Sequence, residues 1–274
     1  MPEREARDAP RGAAVSALAR AARLVGAGVM FAYFGAGGAA LSWVILPLAT
    51  RGIPTEAARR RRARAIVSRG FAQFFGLTSA LRMLRYDPRT ARAPAVDGPC
   101  VVVANHPTLV DTPAAGAVFP DACFLVRSDF YNSPLFGALL RACGHIDAGE
   151  RGTMAGAAVV QSALDRIAEG SSVVIFPEGT RSPPGAIRRF RRGAFEIACR
   201  ADVPVVPVLI TCDPPTFLRK GVAWYAQPKR LAVLTLEPLD PIHPRDFGND
   251  ARALARHVEE LYRSRLSAPR GEDE

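Results

Sequence analysis

The five cysteines (Cys100, Cys123, Cys143, Cys199 and Cys212) include no CxxC pair. Scattered among mostly apolar neighbours, they suggest neither a zinc knuckle nor a disulfide framework, and they are expected as reduced core residues. Histidine is as sparse: His106, His145, His243 and His257 are the full set, and no HExxH pair exists to mark a zinc protease. A GxSxG nucleophile elbow is missing, so a serine-hydrolase reading lacks its central part. RNP-like, zinc-finger and heptad patterns are missing as well, which makes nucleic acid the weaker partner. Finally, charge itself is absent from one long stretch, Leu24 to Thr50.

What is present is a chain of 274 residues, 49% hydrophobic and 23% charged, enough for one large domain or two small ones with a substantial core. Its net charge of +10 calls for an anionic partner: nucleic acid, a membrane surface or a phosphorylated substrate. The uncharged stretch narrows the choice. As a helix it spans about 40 Å, enough to cross a hydrocarbon core. A buried helix of a soluble domain is the rival reading, but such a helix rarely runs so far without a polar face. A cleaved signal peptide fits worse, because the apolar run is too long and a basic block follows it. That block, Arg59 to Arg62 with Arg64, outweighs Arg20 and Arg23 on the other side and is predicted to keep all that follows in the cytoplasm. An interfacial hairpin is the alternative to a full crossing. In it the next helix, with Phe71, Phe74, Phe75, Leu81 and Leu84 among its arginines, dips into one leaflet with the first. Both versions place the chain on a membrane.

Residues 1–12 and 267–274 read as disordered tails, 13–90 as a membrane-associated helical segment, and 91–266 as a catalytic domain. From residue 98 on, short β-branched runs alternate with helical segments, which predicts an α/β layer architecture. Strands are expected at 99–104, 122–126, 172–176, 204–210 and 230–236. Helices are expected from Thr153, as a cap, to Gly170 and from Asp250 to Leu266.

The stretch VVVANHPTLVDTP, residues 101–113, runs from a strand into a Pro that cannot continue it in a sheet interior. A helix is expected from near Thr108. On a continuous helix residues five apart diverge, so His106 and Asp111 meet only because the strand ends between them. A carboxylate so placed would fix the imidazole tautomer and stabilise the imidazolium formed when His106 takes a proton. Thr108 and Asp111 also make a capping box, which would explain Asp111 without chemistry but leaves Asn105 and His106 unaccounted for.

A second strand, in VVIFPEGTRS at 173–182, ends in Pro177-Glu178-Gly179-Thr180-Arg181. A Gly in a tight turn lets backbone amides face outward, and a nearby guanidinium can hold a phosphate bidentately. Alone it could be a surface turn with an incidental ion pair; beside the first stretch it gains weight. Arg188, Arg189, Arg191 and Arg192 follow, and as a cluster they suit phospholipid headgroups, coenzyme A phosphates or an acidic carrier protein.

NHPTLVD and FPEGTRS together resemble the paired motifs of the membrane-bound glycerolipid acyltransferases, the 1-acylglycerol-3-phosphate O-acyltransferase family. VPVVPV at 203–208 and RSDFYNSPLFGALLRACGHI at 127–146 are similar to two further elements, and the resemblance covers roughly residues 95–215. It implies a mixed, largely parallel sheet flanked by helices and preceded by an N-terminal membrane helix or helical hairpin. It implies His106 as general base with Asp111 as its orienting partner. It assigns Glu178, Gly179, Thr180 and Arg181 to an acceptor-phosphate site, with Asn105 and Arg127 also binding substrate. Arg151 lies further from Gly144 than the family pattern expects.

The implied reaction moves a fatty acyl group from acyl-CoA or acyl carrier protein to the hydroxyl of a lysophospholipid such as 1-acylglycerol-3-phosphate. It needs a base but no covalent nucleophile, cofactor or metal. The implied location is the cytoplasmic membrane, with the domain facing the cytoplasm and phospholipid as neighbour. Rival readings are the same chemistry on an acceptor without phosphate, a catalytically inactive lipid-binding protein, and a metal-dependent phosphoesterase, which the scarcity of clustered His and Asp disfavours.

Overall fold

The computed structural model describes residues 5–86, 96–149, 156–223, 228 and 230–267, with side chains from residue 21 onward. Arg151 and Thr153 lie outside the described residues. The chain opens with α1 (Glu5–Ala40), a wider π turn (Leu41–Ile45) and α2 (Leu46–Ala49). The π turn comes just before Pro47, whose ring leaves no amide hydrogen for the regular α ladder. Residues 5–12 are the first turns of α1.

After a turn at Gly52 (φ +77°) the chain doubles back as α3 (Glu56–Ala80), N-capped by Thr55, whose side chain accepts from Ala58 N. The two arms form a helical hairpin. Phe34 stands 5.4 Å from Phe74 and 6.3 Å from Phe71 between ring centroids, while Leu46 packs with Ala63 and Val67 nearer the turn.

The α/β domain is built on a seven-stranded sheet: β1 (Leu84–Tyr86), β2 (Val101–Ala104), β3 (Cys123–Val126), β4 (Ile146–Asp147), β5 (Val173–Ile175), β6 (Val205–Asp213) and β7 (Ala232–Pro238). The spatial order is β1-β7-β6-β2-β5-β3-β4, with every pairing parallel except β6 with β7. The sheet is therefore mixed and largely parallel. Both of its faces are covered, as parallel sheets require. Strand alternation decides which side chains go where. Val102 and Ala104 join Phe74, Phe75 and the alanines of α4 (Asp111–Val118) on one face. Val101 and Val103 join α7 (Ala157–Ala168), α8 (Gly193–Ala201) and α9 (Ala251–Ser267) on the other. Between β3 and β4 come the short helices α5 (Ser128–Tyr131) and α6 (Gly137–Ala142).

The five expected strands are present, with edges shifted by one to three residues. β1 and β4, of three and two residues, were not anticipated as strands by periodicity, being too short to show any. α4 starts at Asp111 rather than near Thr108, because Thr108 is used to hold Asp111 before the first turn. α7 is preceded by Gly156 as its N-cap.

Tyr262 of α9 pins the sheet centre: it is fully buried, its hydroxyl accepts from Val208 N (2.8 Å) and lies 2.6 Å from Val103 O. Tyr262→Phe strips two buried backbone groups of β2 and β6 of their partner. It is expected to destabilise the fold by about 1–3 kcal/mol, read as a lower denaturant midpoint at unchanged slope.

Candidate active site

β2 and β5 are neighbours running the same way, Val101 beside Val173 and Val103 beside Ile175, so their C-terminal ends open onto one edge. Ligands bind at that edge in open α/β sheets. His106 follows β2 by two residues and Glu178 follows β5 by three, which brings the two sequence stretches together.

His106 lies in the turn before α4. Its Nδ1 stands 2.7 Å from Asp111 Oδ2, and its ring stacks on Phe176 with centroids 4.5 Å apart. The side chain keeps 22% of its surface exposed, while that of Asp111 has none. Thr108 holds the carboxylate from its other sides: its amide donates to Oδ2 (2.6 Å) and its hydroxyl to Oδ1 (2.5 Å). A carboxylate receiving donors on both oxygens accepts from the ring too, so Nδ1 carries the hydrogen and the Nε2 lone pair is left for an incoming proton. Capping and chemistry are thus the same arrangement: the Thr108–Asp111 box is what aims the carboxylate at the imidazole.

His145 makes a useful contrast. Burial, with the Arg64 charge adding to it, pushes its pKa down to about 3, and its Nδ1 accepts from Phe124 N at 3.1 Å. It serves the fold of β3.

Glu178 is buried, and it faces the backbone of the catalytic turn. Its Oε1 accepts from His106 N (3.3 Å) and Ser182 Oγ (2.5 Å), and its Oε2 from Arg188 N (2.7 Å). Burial pushes its pKa above the usual carboxylate value, against hydrogen bonds that favour the charged form. Since the folded-state value is the raised one, the contribution of this group to stability declines as pH rises through it. Substrate binding was expected of Glu178; here its oxygens register one turn against the other. Ser182, quoted in the motif but given no role, completes the clasp. Its hydroxyl accepts from His106 N (3.0 Å) and its amide donates to His106 O (2.7 Å).

Asn105, also expected to bind substrate, bonds to backbone too. Its carboxamide is buried and exchanges two bonds with Ile210, donating to the carbonyl (2.8 Å) and accepting from the amide (2.7 Å). A side chain here imitates a strand residue, prolonging the pairing of β2 with β6 up to His106.

Gly179 takes φ +66°, and an added Cβ would fall 2.8 Å from the Arg191 guanidinium carbon. The turn thus needs glycine on two counts, conformation and close approach. Thr180 accepts from Lys220 Nζ (3.3 Å). Arg181 Nη1 donates to Leu218 O (3.3 Å), the carbonyl that also accepts from Leu109 N (3.1 Å). Leu218 presents that carbonyl from a left-handed backbone (φ +46°) in the segment after β6. Leu218 and Lys220 were missed because nothing in their local sequence marks them; only tertiary placement does. Arg127 stands at the C-terminal end of β3, on the same edge, exposed and paired with Asp129.

Comparison with known proteins bears on this geometry. A family model described as Acyltransferase matches residues 85–211. The chain is 32% identical over 145 residues to the 1-acyl-sn-glycerol-3-phosphate acyltransferase beta of Homo sapiens, covering 52% of this chain and 49% of that protein. It is 30% identical over 117 residues to the chloroplastic 1-acyl-sn-glycerol-3-phosphate acyltransferase BAT2 of Brassica napus, covering 43% and 34%. The match thus spans half or less of the length of these relatives. Among solved structures, the 1-acyl-sn-glycerophosphate (LPA) acyltransferase PlsC of Thermotoga maritima shares the fold. The TM-score is 0.68 at 19% identity, over 89% of this chain and 96% of that one.

Proposed function

We propose, from the premise that residues 85–211 belong to the acyltransferase family, that the chain is an O-acyltransferase acting on lysophospholipids such as 1-acylglycerol-3-phosphate. The donor is a fatty acyl thioester, acyl-CoA or acyl carrier protein. The observation that carries the reading is the buried Asp111 carboxylate holding His106 Nδ1, in a loop whose Leu109 amide shares the Leu218 carbonyl with Arg181.

In the reaction, Nε2 of His106 takes the proton of the acceptor hydroxyl as its oxygen attacks the thioester carbonyl. Asp111 stabilises the imidazolium that results. The tetrahedral intermediate collapses by breaking the carbon–sulfur bond, and the departing thiolate receives the proton from His106, which restores the base. Arg181 is the cation assigned to the acceptor phosphate, with the Gly179 turn supplying outward-facing amides.

One helix, Ala21–Ala49, is long and apolar enough to cross a membrane, with a mean hydropathy of 1.7. Ala27, Met30, Gly38, Ser42 and Leu46 are nonetheless buried, a stripe of roughly 28 Å along the helix. This favours a hairpin lying on the cytoplasmic leaflet, apolar side down, with the domain in the cytoplasm, over a helix that leaves the domain to span the bilayer.

The test is to incubate the purified chain with mixed acyl thioesters and lysophosphatidic acid, then with acceptors lacking phosphate, and to weigh the products by mass spectrometry. A new diacyl phosphatidate is expected. Thioester loss only with a phosphate-free acceptor would overturn the assignment of substrate.

A further inference from the structure

We propose that the segment carrying α5 and α6 is a second bilayer-inserting element beside the hairpin, and that its partner is an anionic phospholipid surface. The proposal rests on reading the hairpin as membrane-facing. Large apolar side chains left in solvent are concentrated on the hairpin, Trp43 at 63% and Leu48 at 65% exposed among them. Away from it, Leu109 and Leu231 stand singly, whereas Phe130 (51%) and Leu135 (38%) fall five residues apart in this one segment.

The segment is fastened to the hairpin next to Trp43. Ser42 Oγ donates to Leu135 O at 2.8 Å. The Phe136 ring occupies the space a side chain at Gly38 would need: an added Cβ there would lie 2.3 Å from a ring carbon. Phe34 packs on the same ring, centroids 5.8 Å apart. The segment that carries Phe130 and Leu135 is thus packed directly on the hairpin.

Charge points to the kind of surface that covers them. Arg127 and Arg141, both exposed, bracket the segment, on a chain of net charge +10. Guanidinium groups flanking apolar tips sit at headgroup level, where their stems are buried and their heads meet phosphate. The segment also leaves β3 at the sheet edge that holds His106, so its seat on the leaflet brings lipid-borne acceptor and catalytic edge together.

The test compares the full chain with Phe130→Ser/Leu135→Ser on vesicles of phosphatidylcholine with and without phosphatidylglycerol. The double variant is expected to bind the anionic vesicles roughly tenfold more weakly. Its thermal transition and its turnover of a short-chain, water-soluble acceptor should stay as in the parent, while turnover of vesicle-held acceptor falls. In Phe130→Trp, the emission gained over the parent should shift to the blue and be quenched by brominated lipid tails. Parental vesicle binding by the double variant, or an unquenched Phe130→Trp, overturns the proposal. If the parent turns over no acceptor, the reaction assigned above fails, and binding and quenching still decide this surface.

Discussion

His106→Ala is expected to lower acceptor-dependent thiol release by about 10²- to 10⁴-fold, the range a positioned general base supplies. The argument is one of supply. Among the described residues with an ionisable base at this sheet edge, Glu178 has both oxygens engaged by the backbone and by Ser182, and Asp111 is fully buried behind His106. Removing the imidazole leaves the hydroxyl proton without an acceptor of suitable basicity. Folding should survive, because the ring is part-exposed and its chief packing partner is Phe176. A thermal transition near that of the parent, together with retained binding of a lysophospholipid, would locate the loss in chemistry. Parental rates would remove His106 from the mechanism.

Asp111→Asn should cost two or more orders of magnitude in turnover, and stability as well. The carboxylate accepts three hydrogen bonds, from Thr108 N, Thr108 Oγ1 and His106 Nδ1. An amide in its place brings a donor where only acceptors fit. Turned towards His106, its NH2 group forces the ring into the opposite tautomer, with the hydrogen on Nε2 where the lone pair is needed. Turned the other way, it takes the place of Oδ1 and faces the Thr108 hydroxyl, which already accepts from Val110 N and whose own hydrogen then has no acceptor. Either way a buried polar group loses its match, about 1–3 kcal/mol of stability. The discriminating measurement is the split between kcat and KM: a tautomer fault depresses kcat and leaves KM near its parental value. A variant with full kcat would show that the carboxylate only caps α4.

Five strands, α7 and α9 were legible in the sequence, β5 through its β-branched run despite its three residues. β1 and β4, without such a run, and α8 were not. The meeting of His106 with Asp111 was legible because the two sit five residues apart across a visible strand end. The backbone bonds of Asn105 and Glu178 were not legible for a common reason: polarity in a motif reads as readiness for substrate. Here both side chains are buried and bond to backbone, Asn105 to Ile210 and Glu178 to His106 and Arg188. Such positioning duties depend on what lies across the sheet, over a hundred residues away for Asn105, and no local pattern encodes that. Leu218 and Lys220 were illegible for the same reason.

The carbonyl of Leu218 receives both the amide of Leu109 and the guanidinium of Arg181. Through that single oxygen the segment following β6 acts as a common gauge for two loops that arise more than seventy positions apart. On the proposed reaction, any shift of this strap would misalign proton acceptor and phosphate clamp in concert, so affinity and turnover would drift together as one coupled quantity.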